Sequence, residues 1–168
     1  TLTLPDSEAA KTRALNKQFL LFPPVEGKAE SNGPLLIFLH GGGGGRRPLA
    51  SFRNEFVAQQ VAKRQLSITV VIPQRIVNSD VESGWQPDDL NVLLSYLLKH
   101  HSIDPERVYL TGMSMGGAGT WYWANHSPHH FSAIVPIAAG GQTGPKDPLP
   151  VQPKSYQHLP VWAFHGSA

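Results

Sequence analysis

The stretch Val108-Tyr-Leu-Thr-Gly-Met-Ser-Met-Gly-Gly-Ala-Gly119 joins a β-branched, apolar run to a knot of small residues around one serine, Ser114. Within it Gly112-Met-Ser-Met-Gly116 fits the pattern G-x-S-x-G, in which a serine sits on a strained strand-to-helix turn that projects its hydroxyl out of a sheet. Glycines two before and two after the serine give clearance, since a side chain at either place would strike the neighbouring strand or helix. The pentapeptide alone is weak in a chain with 16 glycines. Its context is stronger, with a strand expected over 108–111 and a helix over 117–126, whose first N–H groups would favour negative charge at the serine. The competing reading is a plain strand-to-helix turn.

Working outward, Pro34-Leu-Leu-Ile-Phe-Leu39 is a continuous apolar run, the mark of a strand buried on both faces. Ile68-Thr-Val-Val-Ile72 is a second such run, closed by Pro73. Between them, residues 49–65 place Phe52, Phe56, Val57 and Val61 at approximate helical spacing. The clearest helix runs over 87–101: Pro87 opens it, Asp88 and Asp89 follow, and Lys99, His100 and His101 close it. Leu90, Leu93, Leu94, Leu97 and Leu98 form its apolar face. Gln18 to Phe22 reads as an edge strand stopped by Pro23-Pro24, after a short helix from Asp6; Asp104-Pro105 reads as a turn. Phe131 to Ala138 and Pro160 to Phe164 are two further strands. Alternation of strands with helices predicts one α/β domain with a doubly wound, mostly parallel sheet and helices on both faces.

Composition narrows the partners. Net charge is +2, from 14 Lys and Arg against 12 Asp and Glu, and the basic residues are scattered apart from Arg46-Arg47 and Lys63-Arg64, so no nucleic-acid surface is expected. No membrane span is expected either. The absence of cysteine excludes disulfides, thiolate metal sites and a cysteine nucleophile, and leaves localisation open. The chain begins at Thr1 with no charged-then-apolar leader, which reads as a processed or trimmed start.

A second chemical signal is His40-Gly-Gly-Gly-Gly-Gly45, directly after an apolar strand. Glycines there let backbone N–H groups turn toward a developing oxyanion. The run fits no phosphate cradle of the G-x-x-x-x-G-K-[ST] type, because Arg46 and Arg47 stand where that pattern ends, nor G-x-G-x-x-G, where Arg46 replaces the last glycine. In the oxyanion reading the N–H groups of Gly42 and Met115 are the donors, and Gly41 and Gly43 shape the turn. Trp85, after the third apolar strand, is either a wall of the acyl or alcohol pocket or plain packing.

Together, Leu35 to Gly43, Arg107 to Trp121 and Pro160-Val-Trp-Ala-Phe-His-Gly-Ser-Ala168 resemble the α/β-hydrolase fold. More narrowly they are similar to the esterase branch that includes polyhydroxybutyrate-depolymerase-like, feruloyl-esterase-like and predicted-peptidase hydrolases. The resemblance implies a serine hydrolase cleaving small-molecule or polymer-linked carboxylic esters, without cofactor or metal. It also implies an acid just beyond the strand at 160–164 and a base histidine after one more strand, so the chain reads as a fold lacking its last strand and helix. After Ser114 the only acidic residue is Asp147, and His126, His129, His130, His158 and His165 all lie outside the expected place for a base. His40 and His165 read as turn supports, and the cluster of His126, His129 and His130 as a helix-end group rather than a metal site. Three readings follow: an esterase short of its acid and base, a non-catalytic α/β binding module, or a hydrolase pairing Asp147 with one of these histidines. An unpaired strand at 161–164 would also favour self-association.

Overall fold

A computed structural model describes residues 1–25, 27–78, 80–81, 84–139 and 157–166. Its elements are β1 (Leu2–Thr3), α1 (Asp6–Ala9), β2 (Gln18–Phe22), β3 (Gly33–Leu39), α2 (Phe56–Lys63), β4 (Thr69–Ile72), α3 (Pro87–His100), β5 (Ile103–Met113), α4 (Met115–His126) and β6 (Ala133–Ile137). Strands associate in the order β1-β2-β4-β3-β5-β6. Pairing is antiparallel from β1 to β2 and from β2 to β4, and parallel across β4, β3, β5 and β6. The expected mostly parallel sheet is therefore present.

Each face of the sheet is covered, for reasons written in the strands. Leu35, Ile37 and Leu39 of β3 and Leu110 of β5 point one way and pack on Leu90, Leu93, Leu94 and Leu97 of α3 and Trp123 of α4. Phe38 of β3 and Val70 and Ile72 of β4 point the other way, onto Ala58 and Val61 of α2 and Phe52. Alternate residues on both faces are apolar because both faces are buried. Full burial of each such leucine contributes about 1.5–3 kcal/mol, so α3 is held by its apolar stripe rather than by its ends. One end still matters: Asp89, in the first turn of α3, accepts from the N–H groups of Arg13 (2.9 Å) and Ala14 (2.7 Å) and ties the N-terminal segment to the domain.

Three expectations need correction. The strand at Gln18–Phe22 is not at the edge, because Leu2 and Thr3 pair with Phe19 and Gln18 outside it. The helix expected over 49–65 is two pieces, a 3-10 turn over Leu49–Asn54 and α2, separated where Glu55 turns to extended backbone (φ −62°, ψ 140°). Asp104-Pro105 lies inside β5, where the pairing with β3 shifts register between Gly33 and Leu35, so the proline sits at an irregularity of the ladder.

The strand expected at 160–164 runs parallel to β6. Trp162 N–H donates to Ile134 O (3.1 Å), Phe164 N–H to Pro136 O (3.0 Å) and Ala138 N–H to Phe164 O (2.8 Å). Pro136 has no N–H to offer Trp162 O, so the ladder breaks into two bridges, Ile134 with Val161 and Ile137 with Phe164. Among the described residues no helix is long and apolar enough to cross a membrane.

Candidate active site

Sheet order places the site. From β3 the chain winds to β4 on one side, then returns to place β5 on the other, so the winding reverses between β3 and β5. At such a switch point the loops leaving the strand ends diverge and open a crevice. The loop leaving β3 is the five-glycine run, and the turn leaving β5 holds Ser114.

Ser114 adopts φ 55° and ψ −117°, a left-handed conformation that a serine takes only when its surroundings hold it there. Its N–H donates to Ile137 O of β6 (2.9 Å), and its carbonyl accepts the first bond of α4 from Ala118 N–H (2.9 Å). The N–H groups of Met115, Gly116 and Gly117 therefore precede the first intrahelical bond and point out of the helix start. Turn and helix fit beneath β3 only because two residues lack side chains. A Cβ on Gly116 would lie 2.6 Å from Leu39 C and 2.8 Å from His40 O, nearer still to Leu39 O. One on Gly112 would lie 2.5 Å from Gly116 C and 2.9 Å from Leu39 O. Neither position therefore has room for a side chain without a shift of the surrounding backbone.

The glycine loop lies against the serine. A Cβ on Gly41 would meet Met113 O at 3.2 Å and Ser114 Cβ at 3.6 Å. Gly43 has φ 81°, which makes the turn into a short 3-10 segment over Gly44–Arg46. Gly42 faces open space. Among the described residues, the N–H groups of Gly42 and Gly43 have no protein acceptor.

His40 supports this loop from below. It is 2% exposed, stacked on Phe52 (ring centroids 4.9 Å) and beside Trp85 (4.7 Å). Arg75 N–H donates to its Nε2 (3.1 Å), which makes Nε2 the acceptor and leaves Nδ1–H to donate to Gly41 O (2.8 Å). Burial pushes the His40 imidazole below its ordinary pKa, the cost of charging a ring in an apolar setting. Both nitrogens are committed, so His40 is a neutral brace. Trp85 is equally internal: 2% exposed, its Nε1–H donates to His40 O (3.1 Å) and its ring lies against Gly119. It lines neither cleft beside the glycine loop, and packing is its observed role.

Gln74 was not singled out from sequence. Buried just after β4, its Nε2 donates to Gly44 O (2.9 Å) and Arg47 O (2.7 Å), while its Oε1 accepts from Asn16 Nδ2 (2.7 Å). It holds the glycine loop through that loop's own carbonyls. The only sequence signal was its place, a polar residue directly beyond a strand that adjoins the switch point.

No described histidine partners Ser114. The His126 ring contacts Ser127 Oγ (3.0 Å) and lies 3.7 Å from Asp88, the His129 and His130 rings face each other at 4.2 Å, and His165 Nδ1 meets Gly166 O (3.0 Å). His158 is exposed. Asp147 lies outside the described residues. Among the described residues no three His, Asp or Glu side chains gather in a way that could hold a metal.

Residues 81–140 match the prolyl oligopeptidase family. Over 133 residues the chain is 29% identical to a poly(3-hydroxyalkanoate) depolymerase C of Paucimonas lemoignei, covering 71% of this chain and 31% of that protein. Among solved structures it is similar to a thermostable esterase, with TM-score 0.65 and 28% identity over 88% of this chain and 42% of the other. It also shares its fold with a fluorophosphonate-binding serine hydrolase of Staphylococcus aureus, with TM-score 0.58 and 15% identity over 77% of this chain and 54% of the other. The chain thus spans about a third of the depolymerase's length and under half of the esterase's. Sheet order and these likenesses show an α/β-hydrolase-type fold, similar to that of the esterases compared above.

Proposed function

We propose that this chain carries the nucleophile and oxyanion-binding part of a serine hydrolase that cleaves carboxylic esters by acyl transfer. Ser114 Oγ attacks the ester carbonyl, forming an acyl-enzyme as the alcohol leaves with a proton, and water then releases the acid. Negative charge on the carbonyl oxygen falls between the N–H groups of Gly42 and Met115, with the helix start of α4 behind it. His40, Gly41, Gly43, Gly112 and Gly116 support these groups. The observation that carries the reading is the strained Ser114 backbone held against glycines at 112 and 116, a cost a merely connecting turn has no reason to bear.

No described side chain acts as base, so the reading expects slow turnover from the 168-residue chain, because loss of triad function in a comparable serine enzyme costs on the order of a millionfold. The test is labelling with a fluorophosphonate probe, with peptide mapping of the adduct, beside hydrolysis of a short-chain aryl ester. Slow labelling at Ser114, absent in Ser114→Ala, supports the proposal. Labelling that maps elsewhere, or aryl-ester turnover unchanged in Ser114→Ala, refutes it; an unlabelled Ser114 favours a binding module instead.

A further inference from the structure

On the outer side of the glycine loop, next to Met115, a cleft of about 390 Å³ is lined by Gly43, Gly45, Arg46, Arg75, Val77 and their neighbours. This is the size of a small-ligand pocket, roughly 300–1,000 Å³. Two guanidinium-bearing residues contribute to its wall, and no carboxylate is among its described lining residues. Arg75 is fixed there, since it is buried, its backbone is tied to His40 and its Nε donates to Gly84 O. Arg46 differs: its side chain is exposed and has no ion pair or hydrogen bond among the described residues. Its neighbour Arg47 is already engaged, 3.9 Å from Glu55 and over the Phe52 ring at 4.8 Å. Beside Asn78, whose amide donates to Arg13 O, the wall from Val77, Val81 and Met115 is apolar and suits a short methylene chain.

We propose that this cleft binds the far end of the ester substrate when that end is a carboxylate. A guanidinium offers a planar fork of donors that matches a carboxylate in two parallel hydrogen bonds. Arg46 supplies the fork, and Val77, Val81 and Met115 cover the aliphatic segment. The inference rests on the reading of Ser114 as the acyl-transfer serine, because Met115, its neighbour in the chain, also lines the cleft.

The test is calorimetric or NMR titration of the Ser114→Ala chain with monomethyl glutarate and with the neutral methyl ester of glutaramic acid. The pair differs only in carboxylate against amide. Hydrogen bonds to a charged partner lead us to expect about tenfold tighter binding of the anion at low salt, narrowing at high salt. Arg46→Gln, a change at an exposed position, should erase that difference without altering the circular dichroism spectrum. Equal affinities, no measurable binding of either ligand at millimolar concentration, or a preference that survives Arg46→Gln would overturn the proposal. Failure of the underlying reading has a different signature: an anion preference that persists while fluorophosphonate leaves Ser114 unlabelled in the unsubstituted chain.

Discussion

Gly116→Ala isolates the contact on which the candidate site depends. The added methyl would sit 2.6 Å from Leu39 C and 2.8 Å from His40 O, against backbone rather than the end of a mobile side chain. That backbone is itself fixed, because Leu39 pairs with Gly112 in the β3–β5 ladder. Overpacking costs about 1–3 kcal/mol where neighbours can adjust, so the upper end applies. Against it, alanine in place of a helical glycine stabilises by about 0.8–1.0 kcal/mol. The net loss should be near 2 kcal/mol, which lowers the melting midpoint of a domain this size by about 4–8 °C. Urea denaturation followed by circular dichroism measures it, with Gly42→Ala as the comparison. A Cβ on Gly42 meets nothing within 4 Å, so that change should stay within about 0.5 kcal/mol. A Gly116→Ala chain with an unshifted midpoint and undiminished labelling at Ser114 would show that the glycine pattern is incidental.

Ser114→Gly should abolish fluorophosphonate labelling yet raise stability by about 1 kcal/mol, because glycine relieves the positive φ; a denaturation midpoint at or below that of Ser114→Ala would contradict the strain argument. His40 titrates below its ordinary value through burial, so the unfolded chain binds its proton first. Its contribution to stability is therefore complete above about pH 6.5 and declines as pH falls through the folded value. Midpoints measured from pH 8 to 5 should fall, and His40→Gln should flatten that slope, leaving the same-direction contributions of the partly buried His101 and His130. Val161, Trp162 and Phe164 are 39%, 68% and 45% exposed on a segment that no described residue pairs with on its outer side. Light scattering should show concentration-dependent association that Trp162→Lys reduces; a monomer at every concentration would refute this.

The parts of the fold legible from sequence were those whose signal is local. β3 and the core of β5 announced themselves as unbroken apolar runs because both faces of each are covered. α3 did so through leucines on one face and a proline at its first position. β1 was illegible since a two-residue strand has no periodicity, and missing it turned β2 into an apparent edge. The break before α2 was hidden because 3-10 and α segments in tandem both place apolar residues three to four apart. Gln74 illustrates the same limit at the site, as its partners are backbone carbonyls 27 and 30 residues upstream, a relation no short pattern encodes. Trp85 was legible as near the site, but the choice between pocket wall and brace turned on an indole bond to His40 O that only the fold reveals.

The two loops at the switch point are registered on one another through backbone. Leu39 O and His40 O limit how α4 can approach, and His40 O is also where Trp85 anchors. The carbonyls of Gly41, Gly44 and Arg47 are held by His40, Gln74 and each other's N–H groups. A run of five glycines so tied is not a flexible linker; the carbonyls of Gly41, Gly43 and Gly44 each have a donor. In the proposed reading this fixes Gly42 N–H beside Met115 N–H before any substrate arrives, and donors already in place need no reorganisation as charge develops. It follows that changes in the bracing residues should act on the site without touching substrate. Gln74→Ala, which removes the side-chain donor from the carbonyls of Gly44 and Arg47, should slow fluorophosphonate labelling of Ser114 more than it reduces binding of an uncharged ester. Equal losses in both would mean that the loop orders only when substrate binds.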